Sequence, residues 1–166
     1  MKQFAEWLST TSPSVFIQNH NAWVIPTIQS IHIAGIGVVL GSAFFIYLRI
    51  LGWAGTDQTL RQTVNRYGPW LTGALWVMLA TGILMVIGEP VRELVTFSFW
   101  AKMILVAAMA SIALRFQRAD FETLPSRRFV KSVAILTFLI WVCIIILGRL
   151  IAYDHVWGSW SPAAKA

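Results

Sequence analysis

The chain has 166 residues, a length that suits one domain. Hydrophobic residues make up 57% and charged residues 12% of it, against about 45–50% and about 25% in soluble domains. A chain of this size cannot bury so much apolar surface in water, so we expect a membrane protein. The formal net charge of +6 does not indicate nucleic-acid binding, because the basic residues only punctuate apolar runs.

The first 22 residues precede the long apolar runs and predict two short helices lying on the membrane surface. Phe4, Trp7 and Leu8 are spaced i, i+3, i+4 and fall on one face of the first helix. Ser12 and Pro13 indicate the start of the second helix, with the proline at its first position. No apolar core of the signal-peptide type occurs here, so we expect the mature chain to begin near Met1.

Four apolar segments are long enough to span a bilayer, whose core of about 30 Å requires about 20 residues as helix. The predicted spans are 23–48, 67–88, 94–114 and 132–153. Unpaired backbone groups are not tolerated in lipid, and the alternating pattern of a barrel strand is missing, so we expect helices. The prediction is a single all-α domain over 1–166, an antiparallel bundle of four transmembrane helices.

The basic residues predict the orientation of these spans, because Lys and Arg concentrate in cytoplasmic loops. Eight of the 13 Lys and Arg residues lie around the two loops that join the first span to the second and the third to the fourth. Both termini are therefore expected to face outward, which in a bacterial inner membrane means the periplasm. This predicts a multi-pass protein of that membrane.

Unusual polar residues gather in the outward half of the predicted bundle. His32 lies about 13 Å inside the first span at about 1.5 Å per residue, and Lys102 lies at a similar depth in the third. Glu89 ends the second span and Arg149 lies near the end of the fourth. A buried Lys usually has a partner, here Glu89 or Glu93, although Lys102 and Arg149 could instead snorkel to the interface.

His32 suggests a ligand of haem iron, because imidazole on an apolar helix is a common axial ligand. Gly35, three residues later, would leave a gap for the flat ring, and Arg149 or Lys102 would neutralise the propionates. His155 and His20 are the candidates for a second ligand, and a five-coordinate haem b or no haem is left open. The structural alternative is a neutral His32 that hydrogen-bonds a neighbouring helix.

Several stretches together resemble an uncharacterised family of small bacterial inner-membrane proteins, a domain of unknown function. They are FAEWLSTTSPSVFIQN, WVIPTIQSIHIAGIGVVLGSAFFIYLRILG, IGEP, FWAKM and GRLIAY. The resemblance covers nearly the whole chain and implies a four-helix membrane protein without an assigned activity. More loosely, a histidine high on the first helix resembles small b-type cytochromes and copper-resistance membrane proteins.

Three functions follow from these observations as hypotheses. The first is an electron-transfer subunit with one haem b bound by His32, which passes electrons between a periplasmic redox partner and quinone. The second is a non-enzymatic anchor whose outer short helices dock a partner in a larger complex. The third is a small metal or solute transporter, which would have to be an oligomer because four helices are few for a carrier. Whether the chain is an enzyme is left open.

Overall fold

The computed structural model describes residues 2–119 and 126–151, and these form seven helices and no strand. Three helices are short and four are long enough and apolar enough to cross a membrane. The all-helical prediction with four long apolar segments is confirmed. In chain order the helices are α1 Lys2–Ser9, α2 Ser12–Asn19, α3 Asn21–Leu51, α4 Leu60–Gly88, α5 Pro90–Leu94, α6 Phe97–Arg118 and α7 Arg127–Ile151.

The four long helices pack into a bundle in which α3 contacts α4 and α7, and α6 contacts α7 and α4. Its centre is a cluster of buried apolar side chains. Large apolar side chains also cover the outside, such as Ile33 and Ile104, which are 66% and 69% exposed. An outside this apolar is suited to lipid and not to water. The central cluster consists of Val39, Ala43, Leu71, Met109, Trp141 and Ile144.

The helix bounds differ from the predicted spans by two to seven residues at most ends, and two of these differences have a local cause. α4 begins at Leu60, seven residues before the predicted start, because Thr59 and Gln62 form a reciprocal capping box. That arrangement satisfies two backbone N–H groups that would otherwise lack partners. α6 begins at Phe97 and not at 94, because α5 forms a separate short helix between Glu89 and Val95.

The two short N-terminal helices cover one end of the bundle, which we call the α5 end. α1 packs on α5, where Ala5 is fully buried against Leu94 and Phe99. α2 and the start of α3 approach the last residue of α4 so closely that a Cβ on Gly88 would lie 2.8 Å from Ile17 of α2 and 2.7 Å from Ile25 of α3. The predicted pair of N-terminal helices is confirmed, while their position on a membrane surface stays a prediction.

Candidate functional site

The imidazole of His32 is held against α4 by a side-chain hydrogen bond. Its Nδ1 atom lies 2.7 Å from Oγ1 of Thr81. The next residue of α4 is Gly82, and a Cβ there would lie 3.8 Å from Cε1 of His32. The edge of the ring that carries Nδ1 and Cε1 therefore faces Thr81 and Gly82, in the interior of the bundle and half-buried.

The hydrogen bonds of Thr81 assign the proton of the imidazole. The hydroxyl of Thr81 donates to the carbonyl oxygens of Val77, at 2.8 Å, and Met78, at 3.2 Å. A hydroxyl has one proton to donate. We therefore assign the proton of the hydrogen bond between His32 and Thr81 to Nδ1, with Oγ1 as its acceptor. The lone pair of a neutral imidazole then lies on Nε2, which can accept a proton or bind a metal.

Lys102 enters the same region from α6. Its stem passes Gly148 of α7, where a Cβ would lie 3.7 Å from Cδ of the lysine. Its ammonium group lies 5.5 Å from the ring centre of Phe99, within the range of a cation–π interaction. The charge of Lys102 acts on His32 on one side and on Glu93 on the other. All four long helices thus contribute to the surroundings of this lysine and the histidine.

Glu93 lies on α5, outside the four long helices, and is only 8% exposed. Burial raises the pKa of Glu93 above the ordinary value of a glutamate, and the negative charge of Glu89 adds to the rise. The positive charges of Lys102 and Arg92 oppose it without cancelling it. A buried carboxyl in this setting binds a proton more readily than an exposed one. We call His32, Thr81, Glu93 and Lys102 the α5-end cluster.

The structure separates some of the predicted site residues from this cluster. Glu89, expected beside Lys102, pairs instead with Arg92, with its Oε2 atom 2.6 Å from Nη1. Arg149 follows Gly148 on α7, and its side chain is exposed. Of the two glutamates considered for Lys102, Glu93 is therefore the one whose charge acts on it.

The gap expected beside Gly35 is filled. A Cβ at this position would lie 2.9 Å from Cγ of Met78, so the glycine serves the close packing of α3 on α4. In this arrangement the flat face of a macrocycle has no access beside Gly35. The cofactor role predicted for Gly35 stays a prediction without support from this packing.

Within residues 2–119 and 126–151, the structure brings no second histidine to His32. His20 precedes α3 at the α5 end, where its exposed ring contacts Phe16 through Nδ1 and the carbonyl oxygen at 2.9 Å. Twelve residues of continuous helix separate His20 from His32, which is about 18 Å along the axis. The two imidazoles therefore do not reach one iron. His155 lies outside the described residues.

The described part of the chain contains no cluster of side chains suited to binding a metal ion. Over residues 2–119 and 126–151, no group of three or more His, Cys, Asp or Glu could hold a metal ion.

Thr81 was missed from the sequence, and its only signal was a hydroxyl inside the apolar run of α4. No spacing rule pairs such a hydroxyl with a histidine 49 residues earlier.

Comparison with known proteins identifies the family of the chain. Residues 4–154 match DUF6644, a family of unknown function. No curated protein and no solved structure matches the chain. The resemblance to an uncharacterised domain family is confirmed, and no similarity to cytochromes is shown. The chain belongs to the family of unknown function DUF6644.

Proposed function

We propose that this chain is a small integral-membrane subunit that takes up and releases protons at the α5-end cluster. One observation carries the proposal: Glu93, Lys102 and His32 come from three different helices, and the charge of Lys102 acts on both of the others. An ionisable group inside a membrane bundle is a functional candidate by default, because a lysine at the centre of a span costs about 2.5–3.5 kcal/mol on insertion scales.

The chemistry of the three groups suits proton exchange. Glu93 and Lys102 carry opposite charges when both are ionised, and both are neutral when the carboxylate has taken up a proton and the ammonium has lost one. The Nε2 lone pair of His32 supplies a third place for a proton near Lys102. Phe99 and the stem of Lys102 keep the surroundings apolar, so each charge state depends strongly on its neighbours.

The charged residues at the two ends support an orientation for this subunit. The loop between α3 and α4 and the region between α6 and α7 carry Arg residues at every flanking helix end. We propose that this basic end is cytoplasmic and that the α5 end faces outward, in a bacterial inner membrane. The α5-end cluster would then exchange protons with the periplasmic side.

Infrared difference spectroscopy of the protein in lipid tests the proposal. The carbonyl stretch of a protonated carboxyl is followed while the pH is stepped. We expect a band that disappears in Glu93→Gln and persists in Glu6→Gln, a matched change of an exposed carboxylate on α1. In Lys102→Met the band should persist to higher pH, because the opposing positive charge is gone. A titrating band that survives in Glu93→Gln, or no such band in the wild type, overturns the proposal.

Haem b bound by His32 is the second candidate, and one observation favours it. The hydrogen bond from Nδ1 to Thr81 orients the imidazole and leaves Nε2 as a ligand, an arrangement typical of metal-bound histidines. Bound haem would supply one-electron transfer. The described residues bring no second histidine to His32, and Met78 fills the gap beside Gly35. The fit is therefore incomplete, and we derive no step through haem.

An absorption spectrum decides this second candidate. The protein is expressed with haem supplied, purified in mild detergent and measured oxidised and then dithionite-reduced. A Soret band and a sharpened α band that are both lost in His32→Ala would establish haem b. A featureless visible region in folded protein would remove it, and the infrared experiment on Glu93 would be unaffected by either result.

A further inference from the structure

A groove of about 190 Å³ lies on the outside of the bundle between α3 and α7, at the end opposite α5, and we call it the α3–α7 groove. Its wall presents only apolar atoms. The floor is the ring of Phe138, whose centre lies 6.3 Å from that of Phe44 and 6.0 Å from that of Tyr47. Phe44 and Ile135 are 46% and 51% exposed, so the groove opens to the lipid-facing surface. Its lining includes Phe44, Tyr47, Leu48, Ala134, Ile135 and Phe138.

Two basic residues precede the α3–α7 groove on α7. Lys131 comes three residues before Ala134 and four before Ile135. Arg128 comes three residues before Lys131. Residues at this spacing share one helix face, so the two basic residues lie about 6 Å and about 10 Å from Ile135 along the axis. Side chains tilt toward the N-terminus of their helix, which here is the end away from the bilayer centre. In the part of the chain that the structure describes, neither basic side chain forms an ion pair.

The indole of Trp53 lies at the same end of the groove on the α3 side. Gly52 follows α3 with a φ of 79°, and the N–H of Trp53 donates to the carbonyl oxygen of Leu48 at 3.0 Å. Nε of Arg49 donates to the carbonyl oxygen of Gln58 at 2.6 Å and so holds the loop that follows. Trp53 lines the groove although it is 77% exposed, and tryptophan favours the headgroup level of a bilayer. We therefore expect the groove to run from the headgroup level into the hydrocarbon.

We propose that the α3–α7 groove binds an acyl chain of an anionic phospholipid, whose phosphate meets Arg128 and Lys131. An apolar cavity of about 150 Å³ is known to hold benzene, so the groove has room for about six carbon atoms of a chain. The apolar wall suits a hydrocarbon chain, and basic pockets between membrane helices bind anionic headgroups. A zwitterionic lipid would bring a positive group to the same two basic residues and is disfavoured.

Native mass spectrometry of the protein in mild detergent tests this site. The dissociation constant of the first bound lipid is measured for dioleoylphosphatidylglycerol, which is anionic, and for dioleoylphosphatidylcholine, which has the same chains but no net charge. We expect the wild type to bind the anionic lipid about 25-fold more tightly, about fivefold for each basic residue. Arg128→Gln combined with Lys131→Gln should remove this preference, whereas Lys131→Arg alone should keep it.

A second pair of variants tests the groove itself. Ile135→Trp fills the groove and should weaken the binding of both lipids about tenfold, the effect of losing the burial of about two methylene groups. Leu136→Trp is the matched control, because Leu136 is 58% exposed on the same helix and does not line the groove. This variant should bind both lipids as the wild type does.

A matched change of charge separates the site from general attraction to the basic end. Arg115→Gln combined with Arg118→Gln removes two exposed charges from the last turn of α6 and should keep the preference. A loss of preference there equal to that in Arg128→Gln with Lys131→Gln overturns the proposal. Equal binding of the two lipids by the wild type, or unchanged binding by Ile135→Trp, also overturns it.

Two further outcomes distinguish this site from other occupants and from the proton proposal. A lipid-free dimer that Ile135→Trp dissociates would assign the groove to a second copy of the chain and overturn the proposal. His32→Ala should bind both lipids normally, because Leu48 at the groove lies 16 residues further along α3, about 24 Å. The lipid result and the infrared result on Glu93 can therefore fail separately.

Discussion

A hydrogen bond of 2.7 Å between Nδ1 of His32 and Oγ1 of Thr81 joins the interior faces of α3 and α4 within the apolar bundle. The hydroxyl of Thr81 also bonds to carbonyl oxygens of its own helix, whereas lipid and apolar side chains offer Nδ1 of His32 no substitute for Thr81. A buried polar group that loses its partner costs about 1–3 kcal/mol. The bond therefore fixes both the orientation of the imidazole and the contact between the two helices.

Thr81→Val should accordingly destabilise the bundle by about 1–3 kcal/mol, because the valine has the shape of threonine but leaves Nδ1 of His32 unpaired. Thr81→Ser keeps the hydroxyl and should cost less. The measurement is the thermal unfolding midpoint in mild detergent.

Thr27→Val is the matched control, since this exposed hydroxyl bonds only to the carbonyl oxygen of Trp23 in its own helix. Equal midpoints for Thr81→Val and Thr27→Val would contradict the importance of the His32 bond.

The stability of the protein should fall as the pH rises through the range in which Glu93 titrates. Burial raises the pKa of Glu93 in the fold above that in the unfolded chain. Between these two values the folded state binds more protons than the unfolded state, so the free energy of unfolding declines with pH. The decline begins near the ordinary pKa of a glutamate and ends above the raised one.

Glu93→Gln should remove this decline and should be more stable than the wild type at neutral pH. The thermal midpoint is measured over a pH series, with Glu6→Gln as the control that keeps the wild-type profile. Parallel profiles for wild type and Glu93→Gln would show that burial of this carboxyl does not act on stability. The charges that face Glu93, on Lys102, Arg92 and Glu89, are unchanged in the variant.

The sequence predicted the four long helices because a run of about 20 apolar residues has the length that spans a bilayer as a helix. It misplaced the start of α4 by seven residues, although Thr59 and Gln62 have the spacing of a capping box. The early start of α4 could therefore have been predicted from these two residues. The division of the chain after Glu89 into α5 and α6 could not be predicted, because a five-residue helix is too short to show helical periodicity.

The sequence predicted which ionisable residues lie in the candidate site, but not which of them act on each other. His32 and Lys102 stood out because ionisable groups are costly inside a span. Which glutamate meets Lys102 depends on how α5 turns across the end of the bundle, and no spacing encodes that. The gap expected at Gly35 is taken by Met78, since the rotation of α4 against α3 decides which side chain fills it.

Gly88→Ala should loosen the N-terminal helices from the bundle. A Cβ at Gly88 would lie 2.8 Å from Cγ2 of Ile17 and 2.7 Å from Cδ1 of Ile25, closer than carbon atoms approach. Either α2 or the start of α3 has to shift. Limited proteolysis should cut the N-terminal segment faster in this variant than in the wild type.

Gly73→Ala is the control on the same helix, because no atom lies within 4 Å of a Cβ there. It should leave proteolysis unchanged and raise stability by up to about 1 kcal/mol through helix propensity. If both variants are cut at the wild-type rate, the contact of α2 with Gly88 does not hold the segment.

A double-mutant cycle should show that Glu93 and Lys102 stabilise each other. Lys102→Met keeps the length of the stem that passes Phe99 and Gly148 and removes only the charge. Interacting pairs typically differ from additivity by about 0.5–3 kcal/mol. We expect a favourable coupling of this size for Lys102→Met with Glu93→Gln, from unfolding free energies at a pH where Glu93 is ionised.

The coupling should vanish at a pH low enough to protonate Glu93, because a neutral carboxyl no longer attracts the ammonium group. Lys102→Met combined with Glu6→Gln serves as the control and should be additive within about 0.5 kcal/mol. Additive effects of Glu93 and Lys102 at both pH values would mean that solvent or lipid headgroups screen the two charges. The α5-end cluster would then lack the mutual dependence that proton exchange between its members requires.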